Sequence, residues 1–171
     1  MKIIVITFLV LLSSHGAESA EAVFQPYGTT FGQKYDANQH KTIARRGNVR
    51  SVELKTTNRP DDTEKLLAEI CDNYGLQVIT WLSHIRSSSS ALASHNEILK
   101  KFKIKFGTPT IKRKSAFWMS NEINIVVKIR HENNTYQNQI RYFGPKNKPC
   151  FEKLITQLRK NLPIPRIKMK D

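Results

Sequence analysis

The sequence is short of acidic residues and of cysteines, and both shortages narrow the classes of protein that it can encode. Only 14 of the 171 residues are Asp or Glu, against 28 Lys and Arg, which gives a formal net charge of +14. Such an excess favours acidic partners, among them nucleic acids and anionic surfaces. Two cysteines are too few for the disulfide-dense scaffold of a very small secreted domain.

Several catalytic and metal-binding motifs are missing as well. The chain has no G-x-S-x-G, no phosphate-binding glycine loop, no C-x-x-C and no H-x-x-H. The sequence therefore assigns no catalytic residue, no metal and no cofactor. Beyond residue 22 the histidines are His40, His84, His95 and His131. His95 lies on the apolar stripe of a predicted helix, where a hydrogen-bonded core histidine is the common case. A hydrolytic pair of His84 with Asp72 is the alternative, and spacing alone does not require it.

The chain has one long apolar run, and it lies close to the N-terminus. Lys2 precedes an apolar segment from residue 3 to residue 12, and Ala20-Glu21-Ala22 has the A-x-A form of a cleavage site. A run of about ten residues is too short for an ordinary transmembrane helix, which needs about 20. Residues 1–22 are therefore predicted to be a signal peptide. The mature chain is expected to be exported, to a periplasm or by secretion, and to contain no transmembrane segment.

Removal of residues 1–22 raises the formal net charge from +14 to +15, because Lys2, Glu18 and Glu21 are removed with them. The remaining length, about 150 residues, is enough for one domain with a hydrophobic core. Residues 23–48 show no sustained hydropathy period and are predicted to form an irregular N-terminal arm. Residues 49–162 are predicted to form the single domain, and residues 163–171 a basic tail.

Hydropathy periods within the domain predict an α+β fold. Apolar residues at helical spacing between positions 60 and 75 indicate a helix between strands at 49–56 and 76–82, which is a parallel βαβ unit. A two-residue period from Ile123 to Ile129 indicates a strand of an antiparallel meander that begins at Thr110 and ends near Tyr142. Further helices are predicted at 91–106 and 149–162. The expected sheet is mixed and five-stranded, with three helices.

The two cysteines, Cys71 and Cys150, are predicted to form one disulfide bond, because exported proteins oxidise paired thiols. The bond would join the end of the first predicted helix to the start of the last one. Two free thiols are the alternative.

Basic residues are clustered, and this clustering is the main functional signal in the sequence. Positions 100–114 contain no acidic residue. The predicted anion-binding residues are Lys100, Lys101, Lys103, Lys105, Lys112, Arg113 and Lys114, and we expect them to meet at one corner of the domain. Smaller clusters are formed by Arg45, Arg46 and Arg50, and by Arg166, Lys168 and Lys170. A solvated basic surface that only keeps the protein soluble is the alternative interpretation.

Three function classes are compatible with these features. The sequence favours an exported, non-catalytic binding or assembly protein whose basic faces engage an acidic polymer, an anionic envelope surface or an acidic protein. The second class is a small secreted hydrolase, of which a nuclease with a histidine base fits the charge best. The third is a secreted, host-directed effector that binds its receptor through the basic face.

Overall fold

The computed structural model describes residues 24–35 and 40–161, with side chains up to residue 156. The predicted signal peptide and the predicted basic tail lie outside these ranges. Within them, eight strands form one sheet, two helices pack on it, and Pro26–Gly28 form a short 3-10 turn. Neither helix in the described ranges is long and apolar enough to cross a membrane.

All neighbouring strands of the sheet run antiparallel, in the order β1-β2-β3-β4-β8-β7-β6-β5. The strands are β1 (Thr42–Arg46), β2 (Val49–Glu53), β3 (Thr63–Cys71), β4 (Gly75–Ser83), β5 (Thr110–Lys112), β6 (Ser115–Met119), β7 (Asn124–Glu132) and β8 (Thr135–Phe143). The helices are α1 (Ser88–Phe106) and α2 (Asn147–Asn161). Strand β1 lies inside the segment that the sequence analysis expects to be an irregular arm.

The predicted fold, a five-stranded mixed sheet with a βαβ unit and three helices, is wrong. The first predicted helix is strand β3, and β3 and β4 form an antiparallel hairpin instead of a parallel crossover. Leu66, Ala68 and Ile70 are buried at a two-residue spacing, while Leu67 and Glu69 between them are only partly buried. Leu, Glu, Lys and Ala favour helices intrinsically, but pairing of β3 with β2 on one edge and β4 on the other outweighs that preference.

Strand β4 is the centre of the fold, and all nine of its residues are buried. It pairs with β3 on one edge and with β8 on the other. Its Ile79 and Trp81 belong to the main core, which contains buried residues from six strands and partly buried residues of α1. Trp81 donates its indole N–H to Thr63 Oγ1 at 2.8 Å, so its single polar atom is satisfied inside the core.

Helix α1 covers one face of the sheet and makes its main contacts with β7 and β8. Ser87 caps its start by accepting a hydrogen bond from the Ser90 N–H, and Gly107, with a positive φ of 80°, ends it. Residues of α1 that pack against the core include Ile98, Phe102 and Phe106. Of the four consecutive serines, Ser87 is therefore the N-cap, and the other three lie in the first turn of α1.

The segment 24–35 crosses the same face and is held by backbone hydrogen bonds. The Gly32 N–H donates to the Leu76 carbonyl, and the Leu76 N–H donates to the Gln33 carbonyl, each at 2.9 Å. Gly75 is needed at this crossing, because its φ is 65° and an added Cβ would collide with the Gly32 carbonyl. Phe24 packs edge-on against Phe106 with ring centroids 5.4 Å apart. These aromatic contacts extend the core across this edge of α1.

The predicted disulfide between Cys71 and Cys150 is confirmed, with Cα atoms 6.1 Å apart. The bond joins the end of β3 to α2, and not two helices as the sequence suggests. Cys71 points to the opposite face from Ile70, because successive strand residues alternate. There it forms a small cluster with Val49, Cys150 and Leu154. Helix α2 is thus attached to its face of the sheet by the disulfide and few apolar contacts.

Reduction of this disulfide is expected to destabilise the protein strongly. The sulfurs are 79 positions apart in the sequence, and closure of a loop of that length stabilises a fold by about 4 kcal/mol in the chain-entropy model. Urea denaturation with and without reductant measures the change in the free energy of unfolding. A Cys71→Ala/Cys150→Ala double variant, which has no disulfide to reduce, is the control. An unchanged wild-type midpoint in reductant would contradict the prediction.

Candidate functional site

All seven predicted anion-binding residues are exposed. Four are on α1 and three are on the hairpin that joins β5 to β6. Within residues 24–35 and 40–156, none of the seven forms an ion pair. Their charges are therefore not neutralised by neighbouring carboxylates of the described part of the chain.

Helix geometry divides the four lysines of α1 between two flanks. Successive residues are about 100° apart around a helix axis, so residues spaced by three, four or seven positions share a side. Lys103 follows Leu92 and Leu99 along one side of α1, and Lys100, three positions before Lys103, belongs to the same side. Lys101 and Lys105 follow Ile98 along the other side, where Lys101 adjoins a hollow that also contains Asp62 and Glu97. Asp62 of this hollow forms an ion pair with Arg86 and not with Lys101.

Lys105 belongs to this second flank as well. Its ammonium lies 4.6 Å from the centroid of the Phe24 ring and 5.4 Å from that of Phe106, which are cation–π distances. The lysine therefore has a structural contact of its own with the segment 24–35.

The β5–β6 hairpin lies beside the first flank. Lys114 lines a cleft together with Leu92 and Leu99, so the hairpin and this side of α1 face each other. The seven residues do not form one corner but two groups. We call the first group the basic rim, and it comprises Lys100, Lys103, Lys112, Arg113 and Lys114. Lys101 and Lys105 form the second group on the opposite flank.

The tip of this hairpin has an unusual sequence for its conformation. Arg113 and Lys114 form a two-residue turn with φ values of 46° and 63°. The β7–β8 hairpin has the same kind of turn, with φ values of 48° and 58°, at Asn133 and Asn134. Two consecutive positive φ angles favour Asn and Gly, and long side chains are disfavoured there. The tip of the basic rim thus carries two cations at some cost in local stability.

Arg45 of β1 and Arg50 of β2, from the second predicted basic cluster, lie opposite each other across the two strands. Arg45 forms an ion pair with Asp72 at 2.8 Å, and Arg50 donates to the Tyr35 carbonyl at 3.1 Å. His84 follows the end of β4, whereas Asp72 follows the end of β3, and these hairpin strands run in opposite directions. Nine residues of strand span about 30 Å. The alternative hydrolytic pair of His84 with Asp72 is therefore wrong.

A cleft of about 520 Å³ separates the first flank of α1 from strands β5 to β8. It exists because α1 lies over β7 and β8, while the sheet continues to β6 and β5 beyond the helix. The residues that line it are Ser88, Leu92, His95, Leu99, Ile111, Lys114, Ser115, Ala116, Ile129, His131 and Tyr136. They include no Asp or Glu. Its volume is within the range of small-molecule sites, about 300–1,000 Å³.

His95 is the buried polar residue of this cleft, and Asn138 fixes its orientation. Asn138 is 0% exposed and donates its amide N–H to the Ala91 carbonyl at 3.1 Å. Its oxygen Oδ1 therefore faces His95 Nδ1, also at 3.1 Å. Since a carboxamide oxygen can only accept, Nδ1 must carry the proton and Nε2 must be the unprotonated nitrogen.

The environment of His95 also keeps its ring neutral. Burial lowers the pKa of His95 below its ordinary value of 6.5, and the hydrogen bond that its Nδ1 donates to Asn138 opposes this effect only in part. His131 stacks on Tyr136 with ring centroids 4.5 Å apart and lines the same cleft. The cleft thus contains a neutral imidazole with a free acceptor, and a cation at Lys114.

Sequence reasoning missed Asn138, Ser83 and the apolar lining of the cleft. Ile111 and Leu92 are 61% and 53% exposed, yet their spacing resembles that of ordinary core positions. Asn138 stands in β8 on the same side as Ile140 and Tyr142, and a polar residue on an apolar side is the signal that could have indicated it.

Exchange of turn residues is expected to change stability in opposite directions at the two hairpins. Arg113→Asn with Lys114→Gly places residues that tolerate positive φ at both turn positions. The loss of backbone strain should raise the free energy of unfolding by about 1 kcal/mol. The reciprocal control, Asn133→Arg with Asn134→Lys, should lower it by about the same amount. Urea denaturation measures both. Equal destabilisation by the two exchanges would show that turn strain is not the cause.

Stability is expected to depend on pH through His95. The unfolded chain takes up a proton at His95 below about pH 6.5, whereas the folded protein, whose pKa is lowered, does not. The free energy of unfolding therefore falls as the pH decreases from 6.5 towards the folded pKa. His95→Asn keeps an N–H donor for Asn138 but cannot titrate, and the nearby Lys114, His131 and Tyr136 are common to both proteins. A wild-type minus variant difference that is constant between pH 7.5 and pH 5 would contradict this prediction.

Residues 24–35 and 40–161 contain no group of three or more His, Cys, Asp or Glu side chains placed to hold a metal ion. Comparison of the chain with protein-family models, with curated proteins and with solved structures finds no match. The functional argument therefore depends on the basic rim and the cleft.

Proposed function

We propose that this chain is an exported protein that binds an acidic polymer through the basic rim, without catalysis. The observation that carries the proposal is the turn at Arg113 and Lys114, where two cations occupy positive φ angles. Residues that oppose local conformational preference are concentrated at functional sites. The matching turn at Asn133 and Asn134 has residues suited to its conformation, so the same hairpin geometry does not by itself call for cations.

The charge and exposure of the rim support the same function. Its five members are exposed, come from two elements that face each other across the cleft, and have no ion-pair partner in the described part of the chain. When exposed, unpaired lysines contact phosphate or sulfate groups, they displace the counterions condensed on the polymer, which stabilises the complex and makes it sensitive to salt. A polymer with repeated anionic groups can contact several of them at once.

Export is part of the proposal. The N-terminal sequence has the pattern of a signal peptide, and a disulfide joins Cys71 to Cys150. Structural disulfides persist in oxidising compartments and are rare in the reducing cytosol. The acidic polymer would accordingly be met outside the cytoplasm.

Removal of charge from the hairpin should weaken polyanion binding more than removal of the same charge from the opposite flank. Lys112→Gln with Arg113→Gln takes two cations from the rim, and Lys101→Gln with Lys105→Gln is the matched control. Binding to heparin and to duplex DNA would be measured across a salt series, with circular dichroism as a check of folding. For duplex DNA, each lost phosphate contact should reduce the slope of log affinity against log salt by about 0.9.

Comparison of the two variants distinguishes binding at the basic rim from binding that depends only on the net charge of the protein. A rim that binds the polymer predicts a smaller salt slope for the hairpin variant alone. Equal losses in both variants would mean that binding follows overall charge. If the hairpin variant has the same affinity and the same salt slope as the wild type, the basic rim is only a solvated surface and the proposed function is contradicted.

A further inference from the structure

The cleft beside α1 has features that polyanion binding does not use. Ala116 is 2% exposed, and Leu99 and Ile129 are partly buried, so the interior of the cleft is apolar. Leu92 and Ile111 extend the apolar surface to the outside, where they are 53% and 61% exposed. Large apolar side chains that remain accessible around a concave site are typical of surfaces that bind a ligand.

A polar group with unused hydrogen-bonding capacity lies among these apolar residues. His95 is 8% exposed, and its Nδ1 is occupied by Asn138. No described residue hydrogen-bonds its Nε2, which is the unprotonated nitrogen. This nitrogen is not one of the buried side-chain atoms that lack a partner, so water in the cleft can reach it and donate to it. The cleft thus combines five apolar lining residues with polar ones, which are Ser88, His95, Lys114, Ser115, His131 and Tyr136.

The charged residues at the cleft favour a ligand that carries a negative charge. Lys114 is its fixed cation, and Lys112 and Arg113 are its neighbours in the hairpin. The residues that line the cleft include no acidic group. One hollow on the opposite flank of α1 differs, because Asp62 and Glu97 are among its lining residues. A second hollow on that flank, lined by Arg59 and Lys105, has no acidic residue either. An apolar ligand with one anionic group complements the cleft in both shape and charge.

We propose that the cleft is a binding site for a monomeric amphipathic carboxylate, whose apolar body lies between Leu92, Ile111 and Ile129 and whose carboxylate pairs with Lys114. This site shares Lys114 with the basic rim, but its apolar walls are not part of the rim. Lys114 lines the cleft, whereas the adjacent Arg113 does not. The two residues share a turn, a charge, an exposed position and a positive φ, which makes Arg113 a matched control.

Calorimetric titration with straight-chain carboxylates tests the proposal, with decanoate as the main probe below its micelle concentration. Affinity should rise about fourfold for each added methylene while the chain remains within the cleft. Lys114→Gln should weaken decanoate binding by roughly tenfold, and Arg113→Gln should leave it unchanged. Ile111→Ser, at an exposed apolar position, should reduce affinity for decanoate and for uncharged decanol alike. Decanol should bind the wild type and Lys114→Gln equally.

Other results would contradict the proposed binding site. Equal weakening by Arg113→Gln and Lys114→Gln, or affinity that does not change with chain length, would show attraction to charge alone. Binding to phosphatidylglycerol vesicles without binding of monomeric decanoate would show a surface that recognises membranes instead. Because the polymer assay uses Lys112 and Arg113, and the decanoate assay uses Lys114 and Ile111, either proposal can fail without the other.

Discussion

The hydrogen bonds of Asn138 hold helix α1 on the sheet, and the surface features of the protein depend on that position. Asn138 is fully buried in β8. Its backbone N–H donates to Ser83 Oγ of β4 at 3.0 Å, and its side chain bonds both the Ala91 carbonyl and His95 of α1. Each of these groups would cost about 1–3 kcal/mol if it were buried without a partner. Apolar contacts alone would tolerate small shifts of the helix, whereas this network allows one position along the sheet.

The placement of α1 explains why the basic rim and the cleft are neighbours. With the helix over β7 and β8, strands β5 and β6 extend past its first flank and leave the cleft open. The same offset puts the turn at Arg113 and Lys114 beside the lysines of that flank. Lys101 and Lys105 lie on the opposite flank, where Lys101 lines a separate hollow and Lys105 lies over the ring of Phe24. Charge and apolar surface are therefore concentrated on one side of the helix, although the sequence spreads the lysines along its whole second half.

The sequence predicts the helices and strands whose hydropathy period is long and unambiguous. The prediction fails where the apolar residues fit both a helical and a strand period. Helices α1 and α2 and strands β7 and β8 lie close to the expected ranges, because their apolar residues recur with one period over many positions. In β3, Leu66 and Ile70 fit a helix and a strand equally well, and only the pairing with β4 decides between them. The disulfide could be predicted from the even cysteine count together with the signal-peptide pattern. The cleft could not be predicted, since its lining comes from five elements whose arrangement follows from the sheet order.

The protonation of His95 reports directly on the network that organises the helix and the cleft. Long-range proton–nitrogen NMR spectra of the imidazole ring at pH 7.5 distinguish the two neutral forms of histidine. Orientation by Asn138 predicts a proton on Nδ1, a bare Nε2, and titration below pH 6.5 because burial lowers the pKa of this ring. A proton on Nε2, or a ring that titrates at or above pH 6.5, would contradict the account, because Asn138 would then hold neither the helix nor the acceptor as described.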